Sequence, residues 1–106
     1  MVSEPARGDV WWGEVPDARP RPYLVLTRDE AIPVLRRIVV APVTRTIRGI
    51  PTEVPLGDRE GLPTESVASF DNILTVPKVV LVRRLGALGP ERREEACAAI
   101  RAATDC

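Results

Sequence analysis

Histidine is absent from the 106 residues of the chain. That removes the commonest general base and the commonest zinc ligand. Ribonuclease mechanisms built on paired imidazoles go with it. Cysteine occurs only as Cys97 and Cys106. With Cys97 inside a helix, Cys106 sits about 13 Å further along the axis, whereas a disulfide needs Cα atoms within about 7 Å. Two free thiols are expected, as suits a reducing compartment, and two separated cysteines cannot alone make a structural zinc site. There is no Gly-rich phosphate loop, no GxSxG and no HExxH. No apolar run approaches the ~20 residues of a membrane helix, and the polar stretch Met1–Asp9 lacks the apolar segment of a signal peptide. These absences predict a cytoplasmic protein with no membrane contact, no metal and no cofactor.

Lysine is also nearly missing. Of 15 basic residues, 14 are Arg and the other is Lys78. Net charge is zero, yet Ala18–Ile50 holds seven Arg against Asp29 and Glu30, a local +5 that the remainder must offset with −5. The planar guanidinium fork suits phosphate; codon bias and a solvated surface account for the same composition. The length suits a single domain spanning residues 1–106, with a core large enough to need no staple. An apolar share of 44% argues against disorder.

Eleven prolines and seven glycines punctuate short apolar runs, the pattern of an all-β sandwich or barrel. Strands are predicted over Asp9–Val15, Tyr23–Thr27, Arg37–Val43, Thr52–Leu56, Ser66–Phe70 and Val82–Leu88. Val39-Val40-Ala41 reads as a central strand covered on both sides, and Asp29–Leu35 as one helical turn at Pro33. Gly89-Pro90-Glu91 then opens a helix. Strong helix formers follow to Thr104, with a narrow apolar stripe of Ala96, Ala99, Ile100 and Ala103. The expected class is α+β: a small curled sheet with one terminal helix packed on it.

Five segments, in order, resemble one family. "RGDVWW" (Arg7–Trp12) is similar to the opening of MazF/PemK-type toxins, and "RPYLVLT" (Arg21–Thr27) to their Arg-Pro strand. "VVAPVTRTIRGIPTEVPL" (Val39–Leu56) resembles their central strand, the loop after it and the next strand. "GLPTESVASFDNILTV" (Gly61–Val76) and "LVRRLGALGPER" (Leu81–Arg92) complete the set. The resemblance runs from about residue 7 to 104. It implies an SH3-like β-barrel of the PemK/CcdB kind with a C-terminal helix, working as a homodimer. It implies a metal-independent endoribonuclease toxin that cuts single-stranded RNA at a short sequence. Attack by the ribose 2′-hydroxyl would leave a 2′,3′-cyclic phosphate and a 5′-hydroxyl, and a cognate antitoxin would occupy the RNA groove.

By the same resemblance the catalytic residues are Arg21 and Thr44. A guanidinium stays protonated near neutral pH and can stabilise the phosphorane; a threonine hydroxyl can donate to a phosphate oxygen. Read without the family, Arg21 could be a surface Arg at a strand start and Thr44 an ordinary strand-end residue. Trp11 and Trp12 alternate faces, so one belongs to the core, while Trp12 could stack on a base or sit in a dimer interface. Arg45, Thr46 and Arg48 could line the groove or be solvated loop. Asp71 and Asn72 could read base edges or cap a turn. Glu14 and Asp17 are the candidates for a general base. The chain departs from the family in a short first loop, Pro16–Pro20, and in Asn72 where Gln is common. Arg19-Pro20 is a second Arg-Pro pair; Arg21 is preferred because the apolar strand follows it directly. Two other functions fit the same barrel: a CcdB-like gyrase poison without nuclease activity, and a non-catalytic SH3-like module that binds RNA or peptide.

Overall fold

The computed structural model describes residues 4–105. Cys106, expected as a free thiol, and the first residues of the polar N-terminal stretch lie outside them. Seven strands form one curled antiparallel sheet: β1 (Asp9–Gly13), β2 (Arg21–Val25), β3 (Arg37–Thr44), β4 (Glu53–Leu56), β5 (Ser66–Ser69), β6 (Leu74–Pro77) and β7 (Leu81–Ala87). They run in the order β4-β5-β3-β2-β1-β7, with β6 also paired to β3. One helix, α1 (Pro90–Thr104), closes the chain. This is the half-barrel with a terminal helix that the sequence predicts.

Strand β3 organises the sheet. Its alternation sends Ile38 and Val40 to one core and Ala41 and Val43 to another. Val40 and Ala41 are both fully buried, so the nearly continuous apolar run does mark a strand covered on both sides. One face packs Leu24, Val54, Phe70 and Leu88 with Ala96 and Ala99 of α1. The other packs Trp11, Tyr23, Val25, Ile32 and Val76. Each fully buried Leu or Val contributes about 1.5–3 kcal/mol relative to exposure.

Pro42 sits inside this central strand, where a missing N–H would ordinarily break a ladder. Here it costs little, because β3 changes partner around it. On that edge β6 pairs with Arg37–Val40 and β5 with Val43 and Thr44. Pro42 falls between the two partners, where no ladder pair is formed on that edge.

The predicted strands differ from the observed ones by one or two residues at most of their ends, and one observed strand was not predicted. β1 ends at Gly13 rather than Val15, and β2 begins at Arg21 rather than Tyr23. β6 was not expected from the sequence: Leu74–Pro77 has only Val76 buried and ends in proline, too weak a pattern to stand out. Asp29–Leu35 is a run of turns, in which Ile32 N–H bonds the Arg28 carbonyl and Leu35 N–H the Ala31 carbonyl. The helix follows the expected pattern, with Pro90 at its first position and Glu91 in its first turn. Ala96 and Ala99 are buried, and Ile100 and Ala103 pack partly beside them. Cys97 is a free, half-buried thiol.

Candidate active site

The register of β2 and β3 builds the site. Tyr23 pairs with Pro42, Leu24 with Ala41 and Val25 with Val40; run on by two residues, the same register sets Arg21 across from Thr44. Both side chains then project from the face that carries Tyr23, away from α1. Arg21, Thr44 and Pro42 line a cleft of about 240 Å³ together with Thr46, Arg48, Glu53, Ser69 and Asn72.

Each wall has a local cause. Gly13 pairs with Arg21, and a Cβ on Gly13 would lie 2.6 Å from the Tyr23 ring. Only a bare backbone at Gly13 leaves room for the ring where it stands. Burial pushes the Tyr23 phenol above its ordinary pKa, and the Arg21 guanidinium opposes that shift. Half-buried Arg21 lines the cleft, and its guanidinium makes no hydrogen bond or ion pair among the described residues.

The loop after β3 is exposed from Arg45 to Pro51 and is held by few bonds. Thr44 Oγ1 accepts from the Thr46 N–H at 3.1 Å. Glu53 Oε1 accepts from the Arg48 N–H at 2.9 Å and the Gly49 N–H at 3.0 Å. Gly49 adopts a φ of 71°, a left-handed conformation that favours glycine. On the far wall Asn72 Nδ2 donates to Ser69 Oγ at 2.8 Å, which leaves the Asn72 carbonyl oxygen free to accept.

A larger cleft, about 480 Å³, lies on the other side of the molecule between Arg7-Gly8 and α1. Size favours it, but chemistry does not: arginines, Glu94 and Cys97 surround an apolar floor with no hydroxyl side chain.

A family model described as "PemK-like, MazF-like toxin of type II toxin-antitoxin system" matches residues 6–104. The chain belongs to this family. A curated relative, "Probable endoribonuclease MazF5" of Mycobacterium tuberculosis, is 46% identical over 107 aligned residues, covering 100% of this chain and 98% of the relative. The solved "Mycobacterium tuberculosis toxin MazF-mt6" superposes with a TM-score of 0.86 at 37% identity, covering 92% of this chain and 96% of that one. A mycobacterial structure titled "Endoribonuclease in complex with its cognate antitoxin" gives a TM-score of 0.85 at 29% identity, over 95% of each chain.

In this MazF-like chain the cleft gathers five of the residues singled out from sequence: Arg21, Thr44, Thr46, Arg48 and Asn72. Trp12, Arg45 and Asp71, the remaining candidates for substrate contact, stand apart from its lining. Trp12 pairs with Pro22, one step out of phase with Arg21, so it projects from the opposite face and lies half-buried. Trp11 is the core member of the pair, its indole Nε1 donating to Asp9 at 3.1 Å. Arg45 is exposed outside the cleft, and Asp71 is tied to Thr52 Oγ1 at 2.6 Å. Glu14 and Asp17 are exposed beyond β1 and do not line the cleft, and Arg19 lies ahead of β2. Glu53 and Ser69 are cleft residues that sequence reasoning passed over. Glu53 had a readable signal: in Glu53-Val54-Pro55-Leu56 the apolar Val54 and Leu56 face inward, which sends Glu53 to the opposite face.

Proposed function

We propose that this chain is an endoribonuclease toxin that cuts single-stranded RNA at a short recognition sequence, by 2′-hydroxyl attack and without a metal. The observation that carries the reading is the cleft shared by Arg21, Thr44 and Arg48. In the reaction the 2′-oxygen bonds to phosphorus, the bond to the 5′-oxygen breaks, the 2′-proton passes to a base, and the 5′-oxygen takes up a proton. Two non-bridging oxygens carry the charge that builds up between. Arg21 remains cationic throughout and can fork onto those oxygens. Thr44 Oγ1 already accepts from Thr46 N–H, so its own proton is free to point at a phosphate oxygen. Arg48 brings a second cation, and the free Asn72 carbonyl can accept from the edge of an unpaired base.

The nuclease reading is favoured over a CcdB-like gyrase poison and over a non-catalytic module because a relative 46% identical over the whole chain carries the name "Probable endoribonuclease". A neutralising antitoxin is the corresponding partner, as in the antitoxin complex of a mycobacterial relative. We take the working form to be a homodimer in the cytoplasm. Among the described residues no helix is long and apolar enough to cross a membrane. The test is end-mapping: purified protein on a long single-stranded RNA is expected to leave 5′-hydroxyl and 2′,3′-cyclic phosphate ends at one short motif. Ends bearing 5′-phosphate, or no cutting at any protein concentration, would contradict the reading.

A further inference from the structure

We propose that Glu53 is a positioning residue: its carboxylate grips the backbone of the loop after β3 and thereby holds the Arg48 side chain on the cleft. The proposal rests on the nuclease reading above for its effect on rate, but not for the clamp itself.

The loop from Arg45 to Pro51 is exposed throughout, and apart from the Glu53 carboxylate it is tethered among the described residues only by the Thr46 N–H on Thr44 Oγ1 and the Glu53 N–H on the Ile50 carbonyl. An exposed loop without tethers samples many conformations, and an arginine on it would sweep a wide volume. Yet Arg48 lines the same cleft as Arg21 and Thr44. Two converging bonds explain that. Glu53 Oε1 accepts from both the Arg48 and the Gly49 N–H groups, at 2.9 and 3.0 Å. An ionised carboxylate is an acceptor only, and its bonds to N–H are roughly twice as strong as neutral ones. Glu53 can act as a fixed post because its own strand is fixed: it pairs with Ser69 on β5, and its neighbour Val54 is buried.

The geometry also says what Glu53 does not do. It forms no ion pair within 4.0 Å with either cleft arginine among the described residues. Bonding the Arg48 backbone rather than its guanidinium keeps the cation available for phosphate. Glu53 thus fixes where the charge stands without neutralising it through contact. A general-base role would predict a different pattern, because there the proton-accepting carboxylate itself is essential.

Three measurements separate these roles. Single-turnover RNA cleavage by Glu53→Ala is expected to fall about 100-fold, the scale of an ångström-sized misplacement. Glu53→Gln keeps a carbonyl acceptor at the same place, and its rate is expected to stay within about tenfold of the unmodified protein. In an Arg48→Ala background, Glu53→Ala is expected to add less than about threefold, since its effect runs through Arg48. Amide hydrogen exchange at Arg48 and Gly49 reads the clamp without any activity: slow in the unmodified protein and Glu53→Gln, faster in Glu53→Ala at an unchanged melting temperature. If Glu53→Ala fails to fold, Glu53→Asp, one methylene short, takes its place in every arm. Glu53→Gln as slow as Glu53→Ala, a full loss in the Arg48→Ala background, or unchanged exchange would each overturn the proposal. Absence of cleavage by the unmodified protein would sink the nuclease reading instead, and the exchange data would still decide the clamp.

Discussion

Arg45 and Arg48 leave the same loop, but only Arg48 reaches the cleft. Their consequences should differ accordingly. Arg48→Ala is expected to weaken binding of a non-cleavable RNA and to flatten its salt dependence by roughly one phosphate contact, whereas Arg45→Ala stays within about twofold. Equal losses in both variants would mean that the loop binds RNA diffusely. Tyr23 offers a second residue-scale probe, because it is the only tyrosine in the chain and its phenolate absorbance reports one group. Its pKa is raised by burial and held back by Arg21. Titration should therefore centre above the ordinary value of about 10, and Arg21→Ala should move it higher still. The raised value means that the fold holds the phenolic proton more tightly than the unfolded chain does. The stability it adds is full below about pH 10 and is lost as pH climbs through the folded value. A midpoint that falls in Arg21→Ala would place the guanidinium elsewhere. At this scale the family motifs brought Arg21 and Thr44 forward from the sequence, and the structure sets both on one cleft. For Glu53 only the outward face was legible, from the alternation with Val54 and Leu56; its bonds across the loop to the Arg48 and Gly49 N–H groups are encoded by no local pattern.

Strands β1, β2 and β3 hold the site by register, and Gly13 is where that register leaves no slack. A methyl group there would sit 2.6 Å from Tyr23 Cδ2 and 3.3 Å from a Leu81 methyl. Gly13→Ala is expected to cost about 1–3 kcal/mol of stability, as overpacking usually does, measured by urea denaturation. It should also slow cleavage beyond the loss of folded protein, because the displaced ring adjoins Arg21. A neutral Gly13→Ala would show that the ring has room to move. The strong elements were the ones the sequence revealed. β3 has an unbroken apolar run, and α1 has its Gly-Pro-Glu start and alanine stripe. β6 escaped because four residues with one buried side chain carry no periodicity, and it exists only because β3 offers a free edge.

For the molecule as a whole, the cleft of one chain is small, about 240 Å³, and an RNA segment needs a longer track. A two-fold dimer would join two clefts and two arginine-rich segments on one surface. Sedimentation of the free protein at micromolar concentration is expected to show a dimer, and a monomer would contradict this. On the proposed reading, RNA is cut without metal at the cleft shared by Arg21 and Thr44. The most direct test is single-turnover cleavage of a long single-stranded RNA in excess chelator by the unmodified protein, Arg21→Ala and Thr44→Ala, with melting temperatures taken alongside. Undiminished cutting by the unmodified protein is expected, with a loss of about 10²–10³ in each variant at unchanged melting temperature. Cutting that vanishes with chelator and returns with magnesium, or near-normal rates in both variants, would contradict that reading.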